Sequence, residues 1–116
     1  MTIHDKVLQF ITKFRNVGGN PEAIITCFTT GNCYWFARIL HDRFLYSLET
    51  PVAMMYNEID NHFAVLIVDK IYDITGELPE EEYKNYVDWE DFKHKDTSLF
   101  HRIQCDCILL LDKEDR

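Results

Sequence analysis

The spacing of the apolar residues changes at Pro51, and this change limits the fold more than any other feature of the chain. Upstream, apolar residues recur every three or four positions, as in helices that bury one face. Downstream, the short apolar stretches VAMMY, HFAVLIV and KIYDIT, bounded by turn residues, are typical of strands. Helices first and strands second predict an α+β fold with an antiparallel sheet.

Two helices are predicted before Pro51. The first begins after Thr2, which has the spacing of a capping box with Asp5, and it ends near the stretch NVGGNP. The second runs from about Asn32 to Tyr46 and has one apolar face. The stretch PEAIITCF between them is too short for its secondary structure to be assigned.

The chain after the strands is more polar and less regular. ELPEEEYKNY is expected to form an exposed acidic connection and DWEDFKH a short helical turn. From Thr97 onward apolar residues again fall on one helical face, which favours a helical C-terminal end, although the same alternation would suit a strand. No repeat or long linker divides the 116 residues. We therefore expect one domain over residues 1–116, with the N-terminal helices packed on the sheet.

The charge of the chain excludes two classes of partner. Twenty acidic residues against 12 basic ones give a formal net charge of −8, and Lys and Arg form no cluster. We therefore expect binding neither to nucleic acid nor to an anionic membrane.

Apolar stretches such as FAVLIV are too short to span a bilayer, and the N-terminus lacks the pattern of a signal peptide. These features predict a cytoplasmic protein whose four cysteines are reduced.

Cys33 stands where the second helix begins, directly after Gly31 and Asn32. A thiol is a nucleophile only as the thiolate, and the unsatisfied N–H groups of a helix N-terminus favour that charge. The same groups could stabilise the oxyanion of a tetrahedral intermediate. Gly31 would let a substrate approach closely, and either Asn32 or Thr30 could cap the helix. The competing interpretation is a core residue, because free cysteine is among the most buried residue types.

His62 and Asp73 lie on two strands that a tight turn would join. A turn at residues 68–69 pairs Ile67 with Lys70 and puts His62 diagonal to Asp73 on the same face of the sheet. At that spacing an imidazole can reach a carboxylate with a hydrogen bond. A turn at residues 69–70 would keep both on that face but move the pair two residues further apart. The pattern therefore predicts a His–Asp pair at one end of the hairpin.

Alone, each of these two residues has a structural explanation: a half-buried histidine on a strand, and an aspartate that bonds to the backbone near Thr75. Together with the cysteine they have the parts that nucleophilic catalysis requires, namely a thiol at a helix N-terminus, a base, and a carboxylate that orients the base. The combination of Cys33, His62 and Asp73 therefore predicts a catalytic site.

The stretches that carry these residues resemble a known superfamily. GNCYWFA resembles the start of the active-site helix in papain-like cysteine proteases, and HFAVLIVDKIYDIT is similar to the His and Asp strands of transglutaminase-like and arylamine N-acetyltransferase-like members. The combination also resembles small uncharacterised proteins of bacteriophages and prophages. The resemblance covers residues 30 to 76 and implies a small papain-like domain in which Cys33 is the nucleophile, His62 the base and Asp73 the residue that orients it.

Other residues of the same stretches are expected to contact the substrate, namely Gly31, Asn32 and Asn61. Two departures from the papain-like pattern argue against general proteolysis. Cys27 stands about where those proteases place the glutamine of the oxyanion hole, and the chain lacks a second domain that would build an extended peptide cleft.

The C-terminal part of the sequence contains a weak metal-binding pattern. His101, Cys105 and Cys107 form the pattern H-x-x-x-C-x-C, which Cys27 could complete. Structural zinc sites use wider cysteine spacing, and C-x-C on a helix points its two sulfurs in different directions. We expect no metal and no cofactor.

Two functional hypotheses follow. The first is a small papain-like thiol enzyme of peptidase, amidase, deamidase or acyl-transfer type, acting in the cytoplasm (the host cytoplasm if the protein is phage-encoded). Its substrate would be a protein or a small amide or thioester. The second is a phage-type interaction protein that keeps the fold and binds a host factor without turnover. The sequence assigns neither the substrate nor an oligomeric state.

Overall fold

The protein has an α+β fold in which N-terminal helices pack on a five-stranded antiparallel sheet. The structure is a computed structural model that describes residues 1–29, 31–45 and 51–95, together with Ser98, His101 and Ile103. The helices are α1 (Ile3–Arg15), α2 (Pro21–Thr29), α3 (Cys33–Leu45) and α4 (Trp89–Phe92), with a 3₁₀ helix at Glu80–Asn85. The strands are β1 (Val52–Asn57), β2 (His62–Ile67), β3 (Lys70–Asp73), β4 (Gly76–Glu77) and β5 (Val87–Asp88), in the order β4-β3-β2-β1-β5.

The predicted capping box begins α1. The Asp5 N–H donates to the Thr2 hydroxyl oxygen at 3.0 Å, and the Thr2 N–H donates to the Asp5 carboxylate at 3.3 Å. Each bond satisfies a donor that has no partner inside the helix. The helix then buries Val7 and Ile11 against the core, one helical turn apart.

Helix α3 carries the main apolar face and lies across β1 and β2. Phe36, Ala37, Leu40 and Phe44 are all buried, and β2 turns Phe63, Val65 and Ile67 toward the same core. A fully buried side chain of this size stabilises the fold by about 1.5–3 kcal/mol. This packing holds the N-terminal end of α3 close to β2. The predicted helix is confirmed up to Leu45, and Tyr46 lies outside the described residues.

The structure assigns one segment that the sequence left open and corrects another. PEAIITCF lies in helix α2, which buries no side chain fully and only half-buries Ile24, Ile25 and Phe28. The acidic segment is not a plain exposed connection, because the buried Leu78 and the half-buried Tyr83 and Tyr86 pack on the outer face of the sheet. Its glutamates do face the solvent along the 3₁₀ helix.

The C-terminal part of the described chain is helical. Trp89 and Phe92 of α4 are buried, and Ile103 joins the same core cluster. Ser98, His101 and Ile103 all have helical backbone, which agrees with the predicted helical end. Cys105 and Cys107 lie outside the described residues, and so does the pattern they form with His101. None of the described helices has the length and apolar character that crossing a membrane requires.

The β2–β3 hairpin has the predicted register, with Ile67 opposite Lys70. Its turn holds Val68 at φ +63°, a left-handed conformation that is strained for a β-branched residue.

Asparagine tolerates this left-handed region of backbone conformation far better than valine does. We expect Val68→Asn to raise the free energy of unfolding by about 1 kcal/mol, measured by thermal and urea denaturation. Val68→Ala, which removes the exposed side chain without a preference for positive φ, is the control. Equal melting temperatures for the two variants would contradict the explanation.

Candidate active site

Cys33 is the first residue of α3 and is 6% exposed. Asn32 directly precedes the helix, and its carbonyl accepts hydrogen bonds from the N–H groups of Trp35 and Phe36. Among the described residues, the N–H of Cys33 has no backbone acceptor. Gly31 precedes this turn with φ +118°, and a Cβ at that position would meet nothing within 4 Å. The side of the helix start next to Gly31 is therefore open to an approaching group.

His62 and Asp73 form the predicted pair at the end of the hairpin. His62 begins β2 and Asp73 ends β3, so both side chains lie at one end of the sheet. The Nε2–H of His62 donates to Oδ2 of Asp73 at 2.9 Å. Because an ionised carboxylate only accepts hydrogen bonds, this contact places a proton on Nε2 and leaves Nδ1 for the thiol of Cys33.

Asp73 has a second set of contacts through its other oxygen. Oδ1 accepts a hydrogen bond from the Thr75 N–H at 2.8 Å and another from the Thr75 hydroxyl. The two roles that the sequence left open, orienting His62 and anchoring the turn before Gly76, are thus filled by different oxygens of one carboxylate. Thr75 keeps the group from rotating, so that Oδ2 continues to face His62.

Hydrogen bonds and charges within the cluster lower the pKa of Cys33 and raise that of His62. Burial is the largest effect on Cys33 and raises its pKa, but hydrogen bonds from His62 and from the N–H groups of Phe63 and Tyr34 outweigh it and leave the pKa below its ordinary value. Burial lowers the pKa of His62, yet its hydrogen bonds with Asp73 and Cys33 raise it to about 9. Both shifts favour the thiolate–imidazolium form of the pair.

The pKa of Asp73 is shifted in the direction that this pairing requires. Burial raises it, but the hydrogen bonds from His62 and Thr75 prevail and hold it below its usual range. The carboxylate therefore stays charged beside the imidazolium. A negative group that is this buried is costly unless it is paired and hydrogen-bonded, as it is here.

The residues expected to contact the substrate surround this cluster without forming part of it. The side-chain amide of Asn32 donates to the carbonyl of Cys27 at 3.3 Å and lies 3.6 Å from its sulfur. Asn61 precedes His62 with φ +50°, and its side-chain oxygen accepts a hydrogen bond from the Tyr56 hydroxyl at 2.7 Å. Thr30, the other residue considered as a cap, lies outside the described residues.

Two further polar residues, neither of them predicted from the sequence, lie beside His62. Asn57 is opposite His62 on β1 and is buried, and its side-chain oxygen accepts from the N–H groups of Ile59 and Asp60. Burial raises the pKa of Tyr86 to about 12, nearby Asp73 adds to the rise, and a hydrogen bond with Asn57 opposes it. No motif signals either residue, because only the pairing of β1 with β2 and β5 brings them to the site.

The fold and the cluster define a small α+β protein in which a buried cysteine, a half-buried histidine and a buried aspartate meet where α3, β2 and β3 come together. Over residues 7–106 the chain matches the sequence model of the phage YunG-like protein family, and it belongs to that family. No curated protein and no solved structure matches it. The predicted relation to phage proteins is confirmed in this form, whereas the papain-like resemblance stays a prediction.

Proposed function

We propose that this protein is a thiol enzyme that cleaves or transfers an acyl group, with Cys33 as nucleophile, His62 as acid and base, and Asp73 as the residue that orients His62. The observation that carries the proposal is the shared hydrogen bonding of the three side chains, with the pKa of the thiol lowered and that of the imidazole raised. A cysteine that served only to fill the core would need no cation beside it.

In the first half of the reaction, the Cys33 thiolate attacks the carbonyl carbon of an amide, isopeptide or thioester. The carbonyl π electrons move to oxygen, and the Cys33 N–H, at the first position of α3, donates to that oxyanion. The tetrahedral intermediate then collapses, the bond to the leaving group breaks, and the Nδ1–H of His62 protonates the departing nitrogen or sulfur. The product is a thioester on Cys33.

In the second half, His62 is neutral and acts as a base. It takes a proton from water or from an amine acceptor while the oxygen or nitrogen attacks the thioester carbonyl. Cys33 leaves as the thiolate, and the imidazolium is restored. Throughout, Asp73 holds the proton on Nε2, so that Nδ1 is the nitrogen that gains and loses a proton.

The surroundings of the site favour a neutral or positively charged substrate. Asp60 and Glu82 lie close enough to Tyr86 to raise its pKa, in addition to Asp73, and the chain as a whole carries a charge of −8. Negatively charged groups are repelled by such a field. An amide or thioester of a host protein, or a small cationic amide, fits this charge, and the cytoplasm of the infected cell is the expected location.

The test is the formation and breakdown of an acyl-enzyme with an activated ester, p-nitrophenyl acetate. We expect one acetyl group to appear on Cys33 by intact mass and peptide mapping, followed by its hydrolysis and continued release of p-nitrophenol. Cys33→Ala should abolish both, whereas Cys27→Ala, which removes an exposed thiol, should change neither. A phage-type interaction protein without turnover would give no adduct on Cys33 above that on Cys27, and this result would overturn the proposal.

A further inference from the structure

A cavity of about 480 Å³ lies between α1 and the C-terminal half of α3. Lys6, Phe10 and Lys13 line it from α1, at positions that fall on one face of the helix over two turns. Arg43 and Phe44 line it from α3. Because Arg43 is ten residues from Cys33 on the same helix, the cavity is about 15 Å from the nucleophile.

The charge of this cavity is opposite to that of the chain. Three cations surround it in a protein whose formal charge is −8. Within the described residues, no ion pair joins Lys6 or Lys13 to a carboxylate, whereas Lys70 pairs with Glu77 and Lys93 with Glu90. In so acidic a chain, lysines that face a cavity and not a carboxylate leave their charge available to an anion.

Two aromatic rings, together with Met1 and Gln9, complete the lining of the cavity. Phe10 and Phe44 meet edge to face, with ring centroids 6.0 Å apart and planes at 85°. The Arg43 guanidinium carbon lies 5.5 Å from the centre of the Phe44 ring, a cation–π arrangement. Aromatic rings and cations that line one cavity suit a ligand that has both an apolar ring and an anionic group.

We propose that this cavity is a second binding site, for a small aromatic anion whose ring packs on Phe10 and Phe44 and whose phosphate, sulfate or carboxylate group contacts Lys6, Lys13 and Arg43. Its volume is within the range of small-molecule sites, roughly 300–1,000 Å³, and this favours a compact ligand over an extended segment of another protein. The site is separate from the cysteine cluster, so the proposal does not depend on the proposed function.

The test uses naphthalene-2-sulfonate and its neutral counterpart naphthalene-2-sulfonamide, titrated into the full chain by calorimetry and followed by amide chemical shifts. We expect the sulfonate to bind and to shift the amides of residues 6–13 and 43–44. The sulfonamide should bind at least about tenfold more weakly, the difference expected when charge-assisted contacts are lost. Added salt should weaken the sulfonate alone.

The matched variants are two double substitutions that remove the same charge. Lys6→Gln with Lys13→Gln should weaken the sulfonate about tenfold. Lys84→Gln with Lys95→Gln, at exposed positions elsewhere, should leave the affinity unchanged. Glutamine keeps a high helix propensity, so both variants should melt like the parent protein. The proposal is overturned if the sulfonamide binds equally well, if the two variants weaken binding alike, or if the shifts lie outside α1 and α3. Cys33→Ala should bind the sulfonate normally.

Discussion

At about pH 6.5, iodoacetamide is expected to alkylate Cys33 faster than the exposed Cys27, although Cys33 is the more buried thiol. An ordinary thiol is roughly 1% thiolate at that pH, since its pKa is about 8.5. The pKa of Cys33 lies below its ordinary value because His62 and two backbone N–H groups stabilise the thiolate. Solvent access alone would predict the opposite order of rates.

Replacing His62 with alanine should remove this preference. In the variant, burial still raises the pKa of Cys33, but the hydrogen bond and the charge of His62 that lower this pKa are gone. The alkylation rate of Cys33 should therefore increase only at higher pH than in the parent protein. We expect the rate at about pH 6.5 to fall by roughly tenfold or more. The measurement is the rate of modification of each cysteine-containing peptide from about pH 5 to 9.

A matched control keeps this result specific to the cluster. His41 is also a partly buried histidine with a carboxylate partner, Asp42, at 3.0 Å, but it lies two turns along α3 from Cys33. His41→Ala should leave the pH profile of Cys33 unchanged. If His62→Ala gives the same profile as the parent protein, the thiol is not activated by the imidazole, and the enzymatic proposal loses its main support.

The parts of the fold that the sequence predicts are those in which local chemistry and the apolar pattern agree. Helix α1 has both a capping box and a regular apolar face. Strands β1, β2 and β3 are each long enough to show an apolar stretch. Strands β4 and β5 have two residues each, and a period cannot be detected over two residues. They exist because β3 and β1 offer them unpaired edges, which is a property of the assembled sheet.

In the Cys33–His62–Asp73 cluster, too, some residues can be predicted from the sequence and others cannot. Cys33, His62 and Asp73 are recognisable because their residue types and the order of their secondary structure elements are typical of nucleophilic catalysis. Thr75 has only a weak local signal, the D-x-T pattern after a strand, in which the carboxylate accepts from the N–H two residues on. Asn57 and Tyr86 have none, because strand pairing alone brings them to the site. Sequence thus indicates the reacting groups better than the groups that hold them.

The two oxygens of Asp73 allow its two roles to be separated by substitution. In Asp73→Asn the amide oxygen can keep both hydrogen bonds from Thr75, while the NH₂ group faces Nε2 of His62. Two donors then face each other unless His62 moves its proton to Nδ1, and in either case the imidazolium is no longer stabilised. We expect the low-pH reactivity of Cys33 to fall by about tenfold or more, with a loss in the free energy of unfolding of about 1 kcal/mol or less.

Thr75→Val should have the opposite pattern of effects, on stability more than on the reactivity of Cys33. It removes the hydroxyl that donates to Oδ1 but leaves the carboxylate and its bond to His62, so stability should fall by about 1 kcal/mol while most of the Cys33 reactivity remains. Asp73→Ala removes both sets of contacts, leaves the N–H groups of His62 and Thr75 without acceptors, and should lower both quantities, stability by about 1–3 kcal/mol. Denaturant melts and the iodoacetamide profile, measured on all three variants, test this separation. If Asp73→Asn lowers the melting temperature as far as Asp73→Ala and leaves Cys33 as reactive as before, then Asp73 stabilises the turn and does not orient His62.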